Sequence, residues 1–252
     1  MILSDGCLRC HSQRDLDLLE GDPDAVPDDV VISVAHDAID HWSSEQWRFL
    51  YQRLTPRLMS LVRRKKVDMG IALRAYGPHY ADLASWPDDE RRATEDAMAA
   101  ELTHALEHRT ADDIVELLGG LACAYDDLRP WLDRLDAATG PAAERGILRL
   151  AFGWATDLLW REDNWFTWWF TDDQLTPVRE WTLAARPRVE RFSRAHPECK
   201  TARDAMIAYE HLDRGEESPW WYPGRGYYAW QERGLPGSYG WLIPKEDLPE
   251  SG

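Results

Sequence analysis

Apolar residues along much of this chain return every third or fourth position, and that rhythm restricts it to packed helices. Trp47, Leu50, Tyr51, Leu54, Leu58 and Leu61 follow one such series, and Ile147, Leu150, Ala151, Trp154 and Leu158 another. With 3.6 residues per turn, positions so spaced line up as one stripe on a helix, and the stripe needs a cover. Strand signals are nearly absent before residue 215: β-branched residues seldom alternate with polar ones, and no Asn-Gly hairpin turn occurs. The expected class is all-α. Helices of about 10 to 20 residues on short Gly/Pro loops imply antiparallel neighbours. That gives an irregular helical bundle or a short superhelix of antiparallel helix pairs; no repeat of stable period favours a true array.

Boundary signals refine this outline. Pro27 suits a first helical turn, because its missing N–H would lack a partner there anyway, and Val30, Val31, Val34 and Ala35 then form an inner face. Ser43 with Gln46 matches a capping box, as does Thr110 with Asp113 ahead of Ile114, Val115, Leu117, Leu118 and Leu121. Thr55-Pro56 predicts a kink or a split in the first long stripe, which ends in Arg63, Arg64, Lys65 and Lys66, cations suited to a helix C-terminus. Residues 87–108 predict a helix with a thin apolar face, and Leu128, Trp131, Leu132 and Leu135 a short one. Thr176-Pro177, Arg186-Pro187 and His196-Pro197 divide the later region into short helices.

Residues 215–252 differ from this body. Glycine, proline and aromatic residues are dense there, without helical period. Such turn density forbids a long helix, while Trp220, Trp221, Tyr227, Trp230 and their neighbours are too apolar for a solvated coil. Two parts are therefore expected: a helical domain over 1–214 with a short N-terminal arm, and an aromatic, turn-rich C-terminal extension packed on it. The chain carries 14 tryptophans. Trp165, Trp168 and Trp169 in DNWFTWWFTDD are expected to join the core or wall a pocket between helices.

Charge narrows the partners. Formal net charge is -16, from 45 acidic and 29 basic residues. A surface of this sign repels nucleic-acid phosphates and anionic lipid, so direct nucleic-acid and membrane binding are not expected. A basic protein remains a fitting partner, as does a small apolar ligand of the tryptophan-rich segments. Cys7, Cys10, Cys123 and Cys199 are too few and too scattered for a secreted disulfide framework, and the opening residues do not read as a signal peptide. A cytoplasmic location is expected. Arginine outnumbers lysine and Asn164 is the sole asparagine, a bias typical of a GC-rich bacterial genome.

The stretch LDLLEGDPDAVPDDVVISVAHDAIDHW resembles uncharacterised helical proteins of GC-rich actinobacteria. The resemblance covers about the first sixth of the chain. It implies no activity, cofactor or site.

Three groups of residues could carry chemistry. Cys7-Leu8-Arg9-Cys10-His11 has the form of a c-type haem attachment, but no export signal precedes it. Zinc is the easier ligand, since two thiolates and an imidazole fill three tetrahedral positions and His36 or His41 could supply the fourth; free thiols in a short N-terminal arm are the plainer alternative. His36-Asp37-Ala38-Ile39-Asp40-His41 is the second group. On a helix, His36 would share a face with Asp40, and Asp37 with His41, giving a mixed site suited to zinc or iron; capping of a helix C-terminus is the plainer alternative. Glu101-Leu-Thr-His104 has the spacing used in di-iron bundles, but no second Glu-x-x-His follows, so a solvated face is expected. No phosphate-binding, dinucleotide or nucleophile-elbow motif is present. The expected function is that of a non-enzymatic helical binding or accessory protein recognising another macromolecule through acidic and aromatic surfaces. A metal-dependent small-molecule enzyme is the alternative.

Overall fold

A computed structural model describes residues 3, 8, 10–38, 41–67, 69–109, 111–125, 127–159, 175–216 and 219. Among them are ten α-helices and no strand, so the fold is all-α. No helix of the described residues is long and apolar enough to cross a membrane. The chain divides into two compact units.

The first unit comprises Met1–Leu102 and Glu116–Asp127. It holds α1 (Gln13–Glu20), α2 (Asp28–Ala35), α3 (Ser44–Arg63), α4 (Met69–Arg74), the larger part of α5 (Asp88–His108) and the end of α6 (Ala111–Tyr125). The polar opening of the sequence gave no warning of α1. It forms because Ser12 and Asp15 make a capping box, the Asp15 N–H donating to Ser12 Oγ at 3.2 Å and the Ser12 N–H to Asp15 Oδ2 at 2.9 Å. Leu16 and Leu19 are its buried residues. The Leu3 N–H donates to Glu20 Oε1 at 2.6 Å, so a buried residue of the N-terminal arm is tied to the last turn of α1.

Pro27 precedes α2 as expected, and the Ser43–Gln46 capping box opens α3. The two helices pack against each other and run antiparallel. At one end Asp28 accepts from Arg57 at 2.5 Å and Arg64 at 3.1 Å; at the other Asp37 accepts from Trp42, just ahead of α3. Of the two expectations at Pro56, a kinked helix or two short ones, the second does not hold: α3 is one helix. Pro56 sits on the exposed side, where the carbonyl deprived of its donor can be hydrated while the buried stripe from Trp47 to Leu61 continues beneath it. Pro187 occupies an exposed position of α9 (Leu175–Ala195), which is likewise unbroken. Glu101 departs from expectation as well. It is 1% exposed, and Arg63 Nε donates to its Oε2 at 2.9 Å, so the carboxylate pairs with the basic end of α3 instead of facing solvent.

The second unit comprises Thr103–Val115 and the described residues from Leu128 onward. It contains the end of α5, the start of α6, α7 (Arg129–Ala137), α8 (Pro141–Asp157), α9 and α10 (Lys200–Arg214). The helices α8, α9 and α10 pack pairwise. Arg188 faces Glu144 while Trp181 meets Trp154, so α8 and α9 are antiparallel. Arg179 donates to the Leu212 carbonyl and Tyr209 to the Thr182 carbonyl, so α9 and α10 are too. Burial covers nearly the whole of α8, including Ile147, Leu150, Ala151 and Trp154. The break at His196-Pro197 falls between α9 and α10, as the sequence predicts. Thr110, Trp165, Trp168, Trp169 and, in the extension, Trp220, Trp221, Tyr227 and Trp230 lie outside the described residues.

Candidate metal centre

The helical display of His36 to His41, the alternative to capping, does not form. The helix α2 ends at Ala35, and His36 is its C-cap. The His36 backbone N–H donates to the Ile32 and Ser33 carbonyls at 3.2 and 3.1 Å, and ring Nδ1 lies 2.8 Å from the Ile32 carbonyl oxygen. A carbonyl only accepts, so Nδ1 carries the proton there. His36 is thus engaged by its own helix, which was the plainer of the two expectations. Asp40 and Cys7 lie outside the described residues.

Ending the helix at residue 35 frees Asp37 and His41 from the helical register, and the N-terminal arm comes to them. His11 is 3% exposed, and its Nε2 lies 2.6 Å from Asp37 Oδ2. The Trp42 indole N–H donates to the same oxygen at 2.7 Å. The His11 and Trp42 rings lie against each other, with centroids 5.2 Å apart. Asp37 Oδ2 thus accepts from two buried rings. Its partner Oδ1 faces His41 Nδ1 at 3.6 Å, while Cys10 Sγ is 4.0 Å from His41 Nε2.

The imidazole of His41 therefore stands between a thiol and a carboxylate. Cys10 Sγ, a carboxylate oxygen of Asp37 and a ring nitrogen of His41 all lie within 4.8 Å of one another. His41 Nδ1 is a buried atom with no hydrogen-bond partner. Cys10 is exposed and His41 half-buried, while the Asp37 side chain is nearly inaccessible to solvent. Thiolate, imidazole and carboxylate together form a donor set suited to zinc and other borderline cations, and unsuited to calcium or magnesium.

Of the residues singled out for metal, the structure joins Cys10 and His41 directly and places His11 one step behind, on Asp37. Sequence reasoning offered His11 among possible direct ligands and Asp37 in a pairing with His41. Trp42 as a second donor to Asp37 was missed altogether. The available signal was the capping box at Ser43, whose first residue must be non-helical and so parts His41 and Trp42 from α3. His104 and His108 form a second, looser grouping one turn apart on α5, with ring centroids 4.7 Å apart.

No protein family, curated protein or solved structure was found to match this chain.

Proposed function

We propose that this chain is a non-enzymatic helical binding or accessory protein that recognises a basic macromolecular partner. The observation that carries this reading is the charge. The net value is -16, and Asp17, Asp22, Asp24 and Asp29 stand exposed within one short stretch of the first unit. A basic partner would be steered to such a face from a distance, and the face would reject nucleic acid and anionic membrane. Arg57 and Arg64 neutralise only Asp28 of this stretch.

The test is cross-linking of the tagged full-length chain in its own cells, followed by mass spectrometry. A reproducible basic partner is expected, bound more weakly at high salt and when Asp17, Asp22, Asp24 and Asp29 are changed together to asparagine. Asparagine preserves the cap at Asp22, so the fold is spared. Recovery of nothing above a mock capture, or of a partner indifferent to both salt and substitution, overturns the reading.

The grouping of Cys10, Asp37 and His41 favours a second reading, a metal-dependent enzyme acting on a small molecule. Three protein donors leave a fourth position for water or substrate. Turnover of a small substrate that disappears in His41→Gln, with the fold intact, would place that reading first.

A further inference from the structure

We propose that Cys10, Asp37 and His41 form a zinc-binding site that clamps the N-terminal arm to the segment between α2 and α3. The inference goes beyond the partner-binding reading and does not rest on it. The geometry supplies three donors of the right chemistry from two distant parts of the chain, with each donor atom within 4.8 Å of the others. In a tetrahedral zinc site, bond lengths of about 2.0–2.3 Å place neighbouring donors about 3.3–3.7 Å apart. Cys10 Sγ and His41 Nε2, at 4.0 Å, are already close to that spacing. Closing the rest requires movements of about 1 Å, within reach of side-chain rotation at an exposed cysteine.

A cation takes one ring nitrogen of His41, and Nε2 is the one on the Cys10 side, 4.0 Å from Sγ; Nδ1 lies 3.6 Å from Asp37 Oδ1 and stays outside the coordination. Asp37 is held as metal-ligating carboxylates are. His11 Nε2 and Trp42 Nε1 both bond Oδ2, fixing the carboxylate and leaving Oδ1 turned to His41. These two rings orient a ligand and do not themselves coordinate. Binding displaces the Cys10 thiol proton to solvent, so the cation is held as a thiolate complex. The fourth tetrahedral position is taken by water.

Cobalt(II) is the probe, because its thiolate complexes absorb in the near ultraviolet and zinc displaces it. Titration of the full chain, purified through a chelator and kept reduced, is expected to give one equivalent of tetrahedral cobalt with a sulfur charge-transfer band. Zinc should abolish the band, and magnesium should leave it. The band should vanish in Cys10→Ser and persist in Cys123→Ser. His41→Gln and His11→Gln should each weaken zinc affinity, the latter about 10- to 100-fold as for loss of an orienting partner. Zinc should also slow amide exchange in α1 of the wild type and not of Cys10→Ser. Circular dichroism checks that each variant is folded. No cobalt band in the wild type, or a band unchanged in Cys10→Ser, overturns the proposal.

Discussion

His11 and Asp37 are joined by a 2.6 Å hydrogen bond between two side chains that are each nearly inaccessible to solvent. That bond places the residue just before α1 against the end of α2, and Trp42 adds a second donor to the same oxygen. Removing the carboxylate would leave both ring N–H groups buried without an acceptor, at about 1–3 kcal/mol each. Asp37→Ala is therefore expected to lower stability by about 3 kcal/mol and to accelerate amide exchange throughout α1. Asp37→Asn, which keeps one oxygen acceptor, should lose less than half as much. Equal losses in the two variants, measured by denaturant titration, would show that the carbonyl-type acceptor is not what His11 and Trp42 need.

Much of the helical layout was legible because it rests on spacing. The stripes on α3 and α8 are buried as read, and the caps at Pro27 and Ser43 stand where the local chemistry puts them. Pro187 misled, because a proline rule is local and the burial of a long stripe is not. The site was legible in part. Cys10, His11 and His41 were marked by motif and spacing, with His41 as a possible partner of Cys10, but Asp37 joins them only because α2 stops at Ala35 and the chain turns. No periodicity encodes that convergence. Glu101 shows the same limit: its spacing to His104 looked like a surface feature, yet its partner is Arg63, on another helix.

A second expectation concerns the core of the first unit. Tyr51 and Tyr76 are both buried and meet edge to face at 4.7 Å, but their hydroxyls differ. Tyr76 Oη bonds Thr55 Oγ1 at 2.7 Å, whereas Tyr51 Oη has no hydrogen-bond partner. Burial raises the pKa of both well above the ordinary phenol value, so both stay neutral. Tyr51→Phe should then raise stability by about 1 kcal/mol, since it deletes an unsatisfied polar group and preserves the ring. Tyr76→Phe should lower it by a similar amount. Thermal melts of the two variants check the opposite signs.

The capping box of α1 predicts a pH dependence. The Ser12 hydroxyl and then the Ser12 N–H bond the Asp15 carboxylate and, against a smaller opposing effect of burial, hold its pKa below the ordinary value. A carboxylate depressed on folding contributes stability that is fully present above its unfolded pKa of about 3.9 and is lost as pH falls through the folded value. Ser12→Ala should cost about 1 kcal/mol at neutral pH. The gap between wild type and variant should narrow below pH ~3.9, as Asp15 takes up a proton in both. Carbon-detected titration of Asp15 should show its midpoint rising in the variant; an unmoved midpoint would remove Ser12 as the cause.

A demanding backbone contact lies in the second unit, at Gly146 in the second turn of α8. A methyl group built there would stand 2.5 Å from the Leu106 carbonyl oxygen and 3.1 Å from its Cα, closer than any side chain could remain. In an exposed helix, replacing glycine by alanine gains about 1 kcal/mol of helix propensity. Here the added carbon meets the backbone of α5 and not the movable end of a side chain, so α8 must shift away from Leu106, and Ile147 and Leu150 must shift with it. Overpacking of this kind costs about 1–3 kcal/mol, more than propensity returns. Gly146→Ala is therefore expected to destabilise the protein, and Gly140→Ala, where an added carbon meets nothing within 4 Å, separates crowding from backbone strain. Gly140 has φ of 103°, so its variant should lose stability through conformation alone. Loss at both positions, with hydrogen exchange rising in α8 and around Leu106 only for Gly146→Ala, is the expected pattern. A Gly146→Ala protein as stable as the wild type would mean that α8 and α5 do not approach this closely in solution.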